Sequence, residues 1–329
     1  MPPVSRIDAK DRAILYNLDK NARQSNSAIA RKTRLSKEVV NYRIKNLIAN
    51  KIINGFFPIV NSSKLGYVIY RVFIRFQNVD IEKEKEIIEF LRNLDQVTNT
   101  VVLDERYDLA IFIWAKDVFR FKEIFEQIIT AQGRFFQECF VTAITNRHFF
   151  LHNHLFGTTD LNERIIGGHF EETSLDKTDF SILCYLFKDA RTPLLNIAKK
   201  INVSPNTVKQ RIKQMEEKKV IVGYRADINS SQLGYQHYKI FLHLVDVSPE
   251  VKSRLKEYLK LNPPVIAITE AVGRADLEFQ IQVKNSLELR QHLGKLRTYC
   301  GDLIRYYRTT QINREYNMKC IAENCLKNF

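Results

Sequence analysis

The sequence predicts an α+β protein made of two copies of one unit, each a winged helix-turn-helix followed by a ferredoxin-like βαββαβ domain. Three observations carry this reading. The chain repeats itself at a constant offset. Each repeat opens with apolar residues spaced three and four apart, then switches to apolar alternation with a period of two.

The repeat is read first. Asp8-Ala9-Lys10-Asp11 recurs 168 positions later as Asp176-Lys177-Thr178-Asp179. The offset holds without a gap for Ala22-Arg23 and Ala190-Arg191, for Arg43-Ile44-Lys45 and Arg211-Ile212-Lys213, and for Leu65-Gly66-Tyr67 and Leu233-Gly234-Tyr235. From 7 to 67, 25 of 61 positions equal their counterparts. A period this long describes duplicated domains rather than a solenoid.

In the first headpiece Asp8 is an N-cap, with Asp11 placed to complete a capping box. Ile14, Leu15 and Leu18 give the first helix its apolar stripe. A second helix runs from about 26 to 34, with Ile29 and Ala30 inward. Leu35-Ser36 makes the turn, Ser36 caps a third helix, and Val40, Ile44 and Leu47 form its buried face. Lys37, Glu38, Asn41, Tyr42 and Lys45 then fall on its other faces. Lys51 to Phe57 reads as two short extended pieces around a turn, the shape of a wing. In the second headpiece Ser204 caps, Pro205 takes the first helical position, and Val208, Ile212 and Met215 are inward. Asn206, Thr207, Lys209, Gln210 and Lys213 fill the outward positions.

A third helix of this kind enters the major groove of DNA, and Lys, Arg, Asn and Gln are the side chains that read bases and phosphates. Arg43 and Arg211 are the same residue in both copies and suit phosphate anchoring, with a structural salt bridge as the competing role. The two recognition faces otherwise differ, so they should read unlike base sequences.

After Tyr67 the period becomes two. The first copy reads as strand 70–76, helix 82–94, strands 97–103 and 109–114, helix 119–129 and strand 135–145. The second reads as strand 237–246, helix 250–260, strands 265–271 and 277–283, helix 286–298 and strand 302–312. Each βαββαβ sandwich leaves one sheet face for a partner. The divisions drawn are headpieces at 1–62 and 175–230, αβ domains at 63–146 and 231–313, a linker at 147–174 and a tail at 314–329.

Charge supports a polyanion partner. The chain has 51 Lys/Arg against 37 Asp/Glu, a net of +14. Residues 6–51 contribute +8 and residues 175–219 contribute +5, so almost all of the excess sits in the headpieces. With 329 residues, 45% apolar and 27% charged, the composition is that of a globular protein with room for several domains. No apolar run approaches the roughly 20 residues of a membrane span, and Met1-Pro2-Pro3-Val4 does not open a signal peptide. Five cysteines (139, 184, 300, 320 and 325) without a C-x-x-C pair suggest reduced thiols in a cytoplasm.

Together these motifs resemble the Lrp/AsnC (feast/famine) family of transcription regulators, in a tandem form as seen in some archaeal sequences. The resemblance runs through Asp-x-x-Asp, Ala-Arg, Ile-Ala, Ser-x-x-x-Val-x-x-Arg-Ile, Gly and Leu-Gly-Tyr. It covers both copies, apart from 146–174 and the last dozen residues. It implies an αβ domain of the RAM/AsnC type that dimerises and binds small effectors, often amino acids, beside a Gly-x-x-Asp turn. The second copy keeps that turn as Gly273-Arg274-Ala275-Asp276, whereas the first has Glu105-Arg106-Tyr107-Asp108, retaining Asp108 alone. Glycine lets backbone N–H groups approach a carboxylate, and Glu105 would repel one, so copy two is the better effector site. Simple strand-connecting turns are the plainer reading of both segments.

The expected partners are double-stranded DNA, an amino-acid effector and either a second chain or the other half of this chain as a pseudo-dimer. No cofactor, metal or membrane is expected. His148, His152 and His154 lack further ligands at zinc spacing and are read as belonging to a polar, partly exposed linker. Two alternatives stand beside the regulator. One is an architectural protein coating DNA. The other is an enzyme, because siroheme decarboxylases share the Lrp/AsnC architecture and should offer histidine and arginine near the Asp108 turn.

Overall fold

Among the described residues, eleven α-helices and eleven strands follow one another so that each repeat builds the same unit. The structure is a computed structural model, and it describes residues 7–316. Cys320, Cys325 and most of the tail drawn from 314 lie outside these residues. The first headpiece consists of α1 (Ala9–Lys20), α2 (Asn26–Thr33), α3 (Lys37–Ala49) and β1 (Ile53–Val60). Its αβ domain follows as β2 (Val68–Phe76), α4 (Ile81–Asn93), β3 (Val97–Asp104), β4 (Leu109–Ala115), α5 (Val118–Gln132) and β5 (Phe136–Phe150). A connector forms α6 (Asn153–Phe156) and β6 (Glu163–Gly167). The second copy repeats the series as α7 (Lys177–Lys188), α8 (Leu194–Ile201), α9 (Pro205–Glu217), β7 (Ile221–Ile228), β8 (Gln236–Leu244), α10 (Pro249–Lys260), β9 (Val265–Val272), β10 (Leu277–Val283), α11 (Ser286–Cys300) and β11 (Ile304–Tyr316).

The two αβ domains close on each other. Strands run β2-β4-β3-β11-β8-β10-β9-β5, and β5 pairs back onto β2. Each four-stranded sheet alone would leave two raw edges, and closure into an eight-stranded barrel removes them. The seams obey the repeat: Ala143 pairs with Val272 in one, and their counterparts Gln311 and Asp104 pair in the other. Outside, α4 and α5 cover one sheet through Ile87, Leu91, Ile124 and Ile128, and α10 and α11 cover the other through Leu255, Leu259, Leu293 and Leu296. The faces expected to await a partner therefore line the lumen, each serving as the other's partner.

The headpieces are joined in the same symmetric way. β1 and β7 pair antiparallel, and Phe57 sits opposite its own counterpart Arg225, so a pseudo-two-fold axis passes through that pair. This corrects the turn expected within the wing. Asn54-Gly55 is a strong turn signal, but the chain runs extended through it from Ile53 to Val60 because its pairing partner comes from the other copy.

The connector is likewise part of the fold. The boundary drawn at 146 falls inside β5, whose residues 146–149 pair with both β6 and β9. His148 is half-buried between Glu163 (2.6 Å) and Glu270 (3.3 Å), and His152 is buried beside Asp19. The histidines are thus packed rather than exposed, because the connector is wedged between headpieces and barrel. Among the described residues no cluster of three or more His, Cys, Asp or Glu is placed to hold a metal, and no helix is long and apolar enough to cross a membrane.

Candidate nucleic-acid interface

Each third helix is held from behind and open in front. Ser36 Oγ accepts the Val39 N–H at 3.2 Å, and Val40, Ile44 and Leu47 anchor α3 to the headpiece core. Lys37, Glu38, Asn41, Tyr42 and Lys45 are exposed, Tyr42 by 65%. On α9, Ser204 Oγ accepts the Thr207 N–H at 3.0 Å, and Val208, Ile212 and Met215 are buried. Asn206, Lys209, Gln210 and Lys213 are exposed, and Thr207 is half-buried. Lys213 lies 3.5 Å from Glu217, a surface pair too solvated to fix it in place.

Arg43 and Arg211 do something the repeat alone did not decide. Arg43 Nη1 lies 2.8 Å from both Asp8 and Asp11, the two carboxylates of the α1 capping box. Arg211 Nη1 repeats this with Asp176 (2.8 Å) and Asp179 (3.2 Å). Each arginine ties the third helix to the start of the first, the competing role weighed above. The positive charge left free on the outward face comes from Lys37, Lys45, Lys209 and Lys213, with Arg31, Lys32, Arg34, Lys199 and Lys200 exposed on or beside α2 and α8.

The two helices are presented as a fixed pair. Arg23 Nη1 donates to the Ala190 carbonyl at 2.6 Å, and its counterpart Arg191 donates through Nη1 to the carbonyls of Ala22 and Gln24. Arg191 Nη2 also donates to Asn26 Oδ1 at 2.6 Å, and Asn26 Nδ2 donates to Asn41 Oδ1 at 3.2 Å. The repeated Ala-Arg thus locks the headpieces together, and on one side the lock reaches Asn41 on the exposed face of α3. A buried clasp adds to it. Arg225 on β7 donates through Nε to Asp19 on α1 at 2.8 Å, and the His152 backbone N–H donates to the same carboxylate at 2.8 Å. Burial alone would raise the Asp19 carboxyl, but Arg225 and His152 hold it well below the usual range. Gly223 makes room beside it: a Cβ there would come within 2.5 Å of Arg164 Nε, whose guanidinium donates to the Lys20 carbonyl.

The residues expected at an effector site converge on one mouth of the barrel. Arg274 lies over the rings of Phe73, Tyr107 and Phe241 at 5.1, 4.6 and 4.3 Å, so the turns of both copies meet there. Asp108 Oδ2 accepts the Phe76 N–H at 2.7 Å, and Asp276 Oδ2 accepts the Leu244 N–H at 2.8 Å. Those aspartates pin their turns to the neighbouring strands, which explains why Asp108 persists where the glycine does not. Gly273 adopts φ +136°, and a Cβ there would meet Thr142 Cγ2 at 2.9 Å. Glu105 holds φ +150° without being glycine, and its carboxyl, raised by burial, faces Arg274 and Arg308.

Sequence reasoning missed the charged interior. Arg71 spans the lumen to Glu278 at 2.5 Å, and Lys239 reaches the same carboxylate at 2.7 Å. Arg71 and Lys239 are counterparts, whereas the counterpart of Glu278 is Ala110. Burial raises Glu278, but the Arg71 and Lys239 charges override it and bring the carboxyl down to about 2. His243, stacked on Tyr306 at 4.2 Å, also lies near the Asp276 turn, where no histidine was foreseen. In all these cases the partner is distant in sequence, so no local motif announces the group.

A family model described as winged helix-turn-helix DNA-binding matches residues 7–54 and again 175–222. The chain is similar to the HTH-type transcriptional regulator LrpA of Pyrococcus horikoshii, with 43% identity over 88 residues, 26% of this chain and 61% of that protein. It is similar to the HTH-type transcriptional regulator FL11 of Pyrococcus furiosus, with 34% identity over 121 residues, 36% of this chain and 78% of the relative. The siroheme decarboxylase NirDL, solved with an iron-uroporphyrin III analogue, shares the fold over 97% of each chain with a TM-score of 0.63 and 14% identity.

Proposed function

Because the chain is a tandem member of the Lrp/AsnC family of helix-turn-helix transcription regulators, we propose that it binds duplex DNA with α3 and α9 in successive major grooves and regulates transcription from an asymmetric site. The observation that carries this is the presentation of the helices. The β1–β7 pairing and the Arg23 and Arg191 bonds fix both polar faces about one pseudo-two-fold axis. Paired helices of this kind contact two half-sites about one DNA turn apart. Asn41 in α3 stands where Lys209 stands in α9, and Tyr42 where Gln210 stands, so the half-sites differ. Phosphate contacts come from the lysines and from the arginines near α2, while Arg43 and Arg211 brace the helices. The closed barrel replaces the dimer of single-unit relatives, and an amino-acid effector would act at the Arg274 mouth.

Selection from a random duplex library, followed by titration across a salt series, tests this. The expected site has two unlike halves, and the log–log salt slope lies at about −4 to −9, for roughly five to ten neutralised phosphates. Lys45→Ala with Lys213→Ala, the lysine common to both third helices, should weaken binding to every sequence and flatten that slope. A perfect palindrome, or no retention of duplex, would overturn the proposal.

One observation favours a second reading, the whole-chain fold likeness to NirDL together with Arg274 and His243 at one mouth. A visible-absorbance scan with added tetrapyrrole separates the two, because a decarboxylase of that kind would bind a coloured ligand. The regulator reading expects no saturable spectral change.

A further inference from the structure

The buried polar groups of this molecule are not evenly satisfied. Native interiors pair nearly all buried donors and acceptors, so a local concentration of unpaired ones calls for a partner. At the barrel end that faces the headpieces, Arg147 Nε and His237 Nε2 have no hydrogen-bond partner, while the nearby His154 imidazole is hydrogen-bonded to the Gln282 side chain and the Pro263 backbone. The two unpaired groups come from β5 and β8, elements separated in sequence and joined only by the fold.

Arg147 is the centre of this group. Its guanidinium lies 4.7 Å over the Phe149 ring and donates through Nη2 to Gln280 Oε1 at 3.2 Å. No carboxylate among the described residues forms a salt bridge with it, although Glu315 and Glu278 stand near enough to be felt. It is deeply enclosed by the surrounding strands yet only half-buried by area. Deeper in the lumen, Glu278 is already shared between Arg71 and Lys239 and has no charge to spare. An enclosed guanidinium without a counter-charge is costly, and a fold that keeps one holds an anion beside it.

We propose that this end of the barrel binds one small oxyanion, a carboxylate or inorganic phosphate, with the Arg147 guanidinium as its counter-charge and His237 as a hydrogen-bonding flank. Burial pushes the His237 imidazole down to about 3, so it is neutral at pH 7 and presents one N–H and one lone pair. The site occurs once per chain, because the counterparts of Arg147 and His237 are Glu315 and Ile69. It is separate from the Arg274 mouth at the other end, and it does not depend on the DNA-binding reading.

The test uses the full chain, exchanged into chloride buffer and titrated with inorganic phosphate, and separately with lactate, by calorimetry and thermal melting. Saturable binding of one anion per chain is expected, with a rising melting temperature. Arg147→Met should reduce the affinity at least tenfold. His237→Ile, which installs the copy-one residue, should weaken it several-fold and keep the protein folded should Arg147→Met not fold. Lys37→Ala with Lys209→Ala should leave the anion affinity unchanged, which separates the site from phosphate binding on the headpieces. Saturation by neither probe, or equal affinity in the wild type and both interior variants, would overturn the proposal.

Discussion

Asp19, Arg71, Arg225, Lys239 and Glu278 show how far a residue's role depends on what the fold brings against it. All five stand in stretches whose apolar alternation or helical stripe marks them as polar positions, and on an open sheet or lone helix they would be solvated. Closure turned them inward, where they survive only as hydrogen-bonded pairs. Glu278, 1% exposed, carries the clearest consequence. Its folded carboxyl sits near 2, below the 4.5 of an unperturbed glutamate, so the unfolded chain takes up the proton first as pH falls. Its contribution is therefore complete above about pH 4.5 and is lost as pH drops toward 2. Glu278→Gln should remove that part of the acid dependence and cost about 3–5 kcal/mol at pH 7, because Arg71 and Lys239 would stay buried without a counter-charge. Urea unfolding at pH 3, 5 and 7 checks both statements, and a variant of unchanged pH profile would refute them. Arg43 and Arg211 teach the opposite lesson: both roles were visible in the repeat, but only the distances to the capping boxes separated them.

At the scale of elements, helices and strands were readable wherever the apolar period ran unbroken, as in α4, α9 and β10. The turn within the wing was misread because turn chemistry is local, while the strand that pairs with β1 lies 168 residues away. The connector was drawn as a linker because β6 is short and its strand pairing comes from β5, beyond the reach of a local pattern. The helix-turn-helix corner shows a cost that the sequence did not advertise. The cap after α2 is Arg34 at φ +54°, and the cap after α8 is Asn202 at φ +55°. Asparagine tolerates the left-handed region and arginine does not, so the first headpiece carries strain that the second avoids. Arg34→Asn is expected to stabilise the protein by about 0.5–1 kcal/mol. A urea midpoint no higher than wild type would remove the strain argument.

The whole molecule is a pseudo-dimer whose two halves are no longer interchangeable. Asp19 and Arg225 form the buried clasp on one side of the axis, and their counterparts on the other side are Phe187 and Phe57, both packed in the apolar headpiece core. Pairing copy one with another copy one would set Asp19 against Phe57 and leave Arg71 facing Ala110 without a carboxylate. Mismatches of that kind specify copy one against copy two, the arrangement a single chain supplies by itself. Asp19→Phe alone should destabilise by about 3–5 kcal/mol, because it strands Arg225. Adding Arg225→Phe should recover at least half of that loss by reproducing the aromatic side. A double variant no more stable than the single one would show that the clasp is not a pairing code.

By itself the sequence determined the duplication, the order of helices and strands, the helix caps and the basic outward faces of α3 and α9. Each of these rests on contacts within a few residues or on a repeat read directly. Tertiary structure alone decided that the wings pair with each other, that both αβ sheets close into one barrel, that the two turn segments share a mouth, and which charges lie buried. Those outcomes depend on strands and side chains brought together from opposite ends of the chain. Spacing along the sequence specifies which face of an element is polar, and only packing settles whether that face meets water, DNA or another charge.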